Sequence, residues 1–155
     1  MATLKKTDDP VDSLRPTSRR VLERAPADGR YEIPYTVGRV FFLRGWGAHL
    51  GKNYTSAGKG IPTSLFQLNE AGLKAAETAR QRSRAELDRT IYAAVHEATM
   101  EGMSVLLEDH SLDGLIRGAE DTLSRVDQAG ASPAGARGYL DALVQYRDEQ
   151  AQATA

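Results

Sequence analysis

Between Ile33 and Asn69 the chain runs 37 residues without an Asp or Glu, and that window sets Arg39, Arg44, Lys52, Lys59 and His49 among Tyr35, Phe41, Phe42, Trp46, Tyr54 and Phe66. These residue types suit a polyanion. Lys and Arg gain affinity from phosphates by releasing counterions, and exposed aromatic rings stack on bases. A guanidinium can also fork onto a phosphate or the edge of a guanine. Arg39, Arg44, Trp46, His49, Lys52 and Lys59 are therefore the candidate nucleic-acid contacts. Phe41, Phe42 and Phe66 are better suited to the core of a small sheet.

The charge is divided along the chain. Residues 1–69 carry 11 Lys or Arg against 6 Asp or Glu, whereas residues 70–155 carry 9 against 15, within a formal net charge of −1. A basic half beside an acidic half fits an acidic partner, either a nucleic acid or an acidic protein surface, or a copy of the same chain docked head to tail.

Other chemistry can be tested motif by motif. The absence of Cys removes disulfides, thiolate metal sites and Cys nucleophiles, and fits a reducing cytoplasm. Gly51 and Lys52 would end a phosphate-cradling loop, but Trp46 stands at its first glycine position and Asn53 at its hydroxyl position. Gly45, Gly47 and Gly51 follow an apolar run without the apolar helix that a dinucleotide-binding turn requires. His96 and Glu97 open a zinc-protease pattern that Met100 breaks, and Leu106 replaces the last glycine of a nucleophile elbow at Ser104. His110 suits the carboxyl end of a helix. A binding protein is expected, with no enzymatic activity, metal or cofactor. The polar start MATLKKTDDP and the longest apolar run, Val40 to Leu43, predict neither a leader nor a membrane span.

The elements that must position the basic window divide the chain into a flexible arm (1–12), a basic and aromatic module (13–69) and a helical region (70–155). A short helix is expected over 17–25, bounded by Pro16, Pro26 and Gly29 and anchored by Val21 and Leu22. From Arg30 to Leu68, aromatic and β-branched residues broken by glycines predict strands and loops.

Beyond them, Asn69 is an N-cap with Glu70 in the first turn of a long helix, which Gly102 bends or splits. Its apolar stripe holds Leu87, Ile91, Val95, Ala98, Val105 and Leu106. Ser111 caps a second helix that Gly130 ends, and Ser132 with Pro133 opens a third. The first helix outruns its partners, so a homo-oligomer with Leu87, Ile91 and Val95 in its seam is favoured over a monomeric three-helix core built from the same residues.

The segment GKGIPTSLFQLNEAGLKAAE, from Gly58 to Glu77, resembles the end of a winged-helix DNA-binding domain. The resemblance covers about 20 of the 155 residues. It implies a wing over Gly58, Lys59, Gly60 and Pro62, with Lys59 near a phosphate or the minor groove. It also implies a last strand over Leu65 to Leu68 and a linker helix starting at Asn69 to Gly72. A helix-turn-helix should precede such a wing, which gives Thr36 to Leu50 the place of its recognition helix. That stretch is unusual for a helix, since it contains Gly38, Gly45 and Gly47.

The expected fold is mainly α with a small β element (α+β). A winged-helix-like or small hairpin module precedes a three-helix region with one unusually long helix. The expected function is a nucleic-acid-binding regulator or accessory protein, with DNA favoured. The alternative is a structural assembly subunit, of a phage-like particle or a secretion apparatus, whose N-terminal loop contacts neighbouring chains.

Overall fold

The computed structural model describes residues 10–51, 60 and 62–155. Helix α1 spans Pro16–Glu23, strand β1 Arg30–Pro34, helix α2 Tyr35–Leu43, strand β2 Gly47–His49 and strand β3 Thr63–Leu68; helix α3 follows over Glu70–Glu101, α4 over Met103–Asp109, α5 over Leu112–Gln128 and α6 over Ala134–Ala153. The architecture is mainly α with a small β element. Two compact units divide inside α3, the first ending at Ser83 and the second starting at Arg84.

In the first unit, β3 is the centre of an antiparallel three-stranded sheet in the order β1-β3-β2. Its register sets Tyr31 opposite Phe66 on one side and His49 opposite Phe66 on the other. The period-2 alternation of a strand turns Ser64, Phe66 and Leu68 inward. Phe66 and Leu68 join Leu22 of α1, Val37 and Phe41 of α2, Trp46, and Ala75, Ala76 and Ala79 of α3 in one core. The start of α3 is polar in sequence, yet its small alanines allow close packing on the sheet. Val11 is also part of this core, and Asp12 is ion-paired with Arg82, so the segment read as a free arm is fastened from residue 11 onward.

The largest departure from the residue pattern is α2, a helix where aromatic and β-branched residues predicted strands and loops and only the winged-helix resemblance implied a helix. Gly38 explains it. A Cβ there would lie 2.7 Å from His49 Cε1 and 3.3 Å from Phe66 Cδ2, so only glycine lets the helix axis approach the sheet this closely. The helix stops at Arg44, and Gly45 takes φ +72°, the left-handed conformation that reverses the chain into β2. Asn69 secures that corner as it caps α3. Its Oδ1 accepts from Gly72 N at 2.9 Å while its Nδ2 donates to Gly45 O at 2.8 Å.

The second unit follows the sequence closely. Gly102 ends α3 and α4 begins at Met103. Ser111 accepts from Gly114 N as the cap of α5, and Gly130, at φ +66°, closes that helix. Met103, Ile116, Ala119 and Leu143 form the core, with Leu115, Leu140 and Val144 packed around it. Gly138 lets α6 lie against α3, since a Cβ there would stand 2.6 Å from Tyr92 O.

Candidate functional site

The described part of the acid-free window folds into the end of β1, α2, the corner after it, β2 and β3. Arg39 lies exposed on α2, with Phe42 and Leu43 beside it at 55% and 73% exposure. Arg44, at the end of the helix, is held in place: Nη1 donates to Pro10 O, Nη2 donates to Ser13 Oγ at 3.0 Å, and Cζ lies 5.3 Å from the centre of the Trp46 ring. All three partners are neutral, so the arrangement fixes the guanidinium without cancelling its charge.

Trp46 is only 5% exposed and packs against Phe41, with ring centres 5.7 Å apart. It belongs to the core and presents no face for a base, contrary to its place among the candidate contacts. His49 is half buried. Its Nδ1 shares a 2.7 Å hydrogen bond with the buried Ser64 Oγ, and its ring sits 5.2 Å from Tyr35 and 5.1 Å from Phe66. Its position makes it part of the contact between α2 and the sheet. Phe42, expected in the core, is instead exposed, because in a helix adjacent residues point to different faces and Phe41 takes the inner one. Lys52 and Lys59 lie outside the described residues, as do Gly58 and Lys59 of the expected wing. Gly60 and Pro62 are exposed, and Pro62 O accepts from Tyr35 N at 2.7 Å.

Three carboxylates in this unit are engaged with particular cations. Asp12 holds Arg82, Glu23 holds Arg19, and Glu77 holds Arg80. Arg80 also donates to Glu23 O and Ala25 O, placing its charge on the negative end of α1. Arg15, Arg20, Arg24, Arg30, Arg39 and Arg44 have no side-chain carboxylate partner among the described residues. Four of these six, three on or beside α1 and Arg30 at the start of β1, stand outside the acid-free window.

A groove of about 580 Å³ between α1 and α2 is lined by Ser13, Leu14, Arg15, Thr17, Ser18, Thr36, Val37, Val40 and Arg44. Sequence reading missed it because residues 13–18 and 36–44 meet only through space. A local signal was nonetheless present: Arg15-Pro16 and Pro34-Tyr35 open helices at which no Ser, Thr, Asp or Asn stands in the capping position.

In the second unit, Leu87 is 58% exposed, whereas Ile91 and Val95 are half buried. Their methyl groups come within 3.6 and 4.0 Å of where a Gly135 side chain would begin. Those two residues face α6 of their own chain, and Leu87 is the member of the expected seam left open. His96 stacks on Tyr92, and His110 is the exposed C-terminal cap of α4. Among the described residues no cluster of three His, Asp or Glu side chains could hold a metal ion. No described helix is long and apolar enough to cross a membrane. No protein-family model, curated protein or solved structure matches the chain.

Proposed function

We propose that this chain is a non-enzymatic, cytoplasmic nucleic-acid-binding regulator or accessory protein, with DNA the favoured ligand. Its N-terminal unit contacts phosphates and its helical unit self-associates. The observation that carries this reading is the surplus of arginine in the first unit, where six guanidiniums remain without a carboxylate partner among the described residues while Asp12, Glu23 and Glu77 hold other cations. Uncompensated, fixed positive charge favours a polyanion and speeds encounter with it.

The winged-helix resemblance is supported by the order helix, strand, helix, then two antiparallel strands running into a helix, with β3 between its partners. In this reading α2 holds the place of the recognition helix, offering Arg39. Only one helix stands between β1 and the hairpin where a helix-turn-helix would have two. Phosphate contact and shape are thus better supported than base reading.

Anisotropy of a labelled random duplex and a labelled single strand, titrated at two salt concentrations, tests the proposal. Four neutralised phosphates would cost about 100-fold in affinity between about 50 mM and about 200 mM salt. Replacing Arg39, Arg44, Lys52 and Lys59 together by Ala should abolish binding and leave the helical unit folded; binding equal to that of the natural chain would reject the basic window.

The assembly-subunit reading is favoured by a different observation, the apolar surface of Phe42, Leu43 and Leu50, each more than half exposed. It predicts no duplex binding at low salt and a defined oligomer by sedimentation equilibrium. For the self-association proposed here, Leu87→Glu should shift that oligomer to monomer without loss of helix content.

A further inference from the structure

We infer that the groove between α1 and α2 is a binding site for a phosphate group. The two helices begin on it together. α1 follows Arg15 and α2 follows Pro34, and neither start has a side-chain cap. The first-turn N–H groups of a helix have no acceptor within the helix and carry its positive end. Here those of Thr17 and Ser18 in α1 and of Thr36 and Val37 in α2 belong to residues that line one groove.

Side chains reinforce the backbone. Arg15 and Arg44 line the same groove, and none of its described lining residues is acidic. Ser18 is 8% exposed, lines the groove, and has no hydrogen-bond partner among the described residues. A hydroxyl with no protein partner is free to donate to an anion in the groove. The hydroxyls of Thr17 and Thr36 are likewise without a protein partner among the described residues. Arg44 is already immobilised by Pro10, Ser13 and Trp46, so ordering it costs little when an anion arrives. Hydroxyl donors, two guanidiniums and two helix starts in a groove of about 580 Å³ match a tetrahedral oxyanion and part of what it is attached to.

The site itself does not depend on the proposed function, since a free phosphate and a backbone phosphodiester offer the same oxygens. Two variants place a carboxylate where the anion would sit while favouring the fold. Arg15→Asp supplies the missing N-cap of α1, and Thr36→Asp puts an acid in the first turn of α2. Both should melt at or above the temperature of the natural chain.

Each full-length protein is titrated calorimetrically with sodium phosphate at constant ionic strength, and by anisotropy with the labelled duplex. The natural chain should bind phosphate at least roughly tenfold more tightly than either variant, as expected for loss of a charge-assisted contact. If duplex affinity falls in parallel, the phosphate is that of a nucleic-acid backbone. If it does not, or if the duplex fails to bind at all, the ligand is a free phosphate and the site stands without the nucleic-acid reading. If neither phosphate nor duplex distinguishes the natural chain from both variants, the inference is overturned.

Discussion

The two units of this chain cohere in opposite ways. In the first, side-chain bonds reach far along the sequence: Arg44 to Ser13, His49 to Ser64, and Arg80 to the end of α1. In the second, most join residues a turn apart, as Arg125 does with Asp121 and Gln145 with Glu149, and Tyr92 to Asp141 is one of the few long links. The cores differ in the same sense. Phe41, Phe66, Leu22 and Ile33 are fully buried in the first unit, whereas Leu143 is the largest such side chain in the second. A unit assembled from distant segments can bring uncompensated cations together. A unit of locally stabilised helices carries little that is not written in its own periodicity.

Breaking each core should expose that difference. Phe66→Ala removes a ring that touches both sheet neighbours and α2, and should destabilise the first unit by about 3–5 kcal/mol, read as faster hydrogen exchange in residues 10–83. Leu143→Ala should cost less, about 2–3 kcal/mol, because a thinner helical core can relax into the space, with exchange accelerating in residues 84–155.

A finer comparison uses two tyrosines. Burial pushes the Tyr31 phenol up to about 12, with the Arg80 guanidinium pulling the other way, and its hydroxyl donates to Val21 O. Tyr92, by contrast, is raised chiefly by the hydrogen bond it donates to Asp141. A raised pKa means that the folded state prefers the neutral phenol. The contribution of Tyr31 is therefore complete below its ordinary value of about 10 and disappears as pH climbs to about 12. Denaturant unfolding across that range should show the first unit weakening, and Tyr31→Phe should flatten the slope.

Legibility in the sequence followed the same divide. The cap at Ser111, the break at Gly102 and the stop at Gly130 were readable because caps and glycine conformations act within a few residues. α2 was not, since Gly38 opposes helix by propensity, and what outweighs it is contact with His49 and Phe66, distant in sequence. Trp46 misled for a related reason. An aromatic ring amid cations looks the same whether it waits for a base or fills a core, and only its neighbours decide. The groove between α1 and α2 required both starts, Pro16 and Tyr35, to be seen side by side.

Trp46 has a practical consequence. It is the only tryptophan in the chain, it is enclosed by Phe41, and it lies beneath a guanidinium that also borders the groove. Its ultraviolet emission is therefore an intrinsic lamp for the first unit alone, shifted to the blue by its dry surroundings. Any anion that draws Arg44 away from the indole should change its brightness with no label attached.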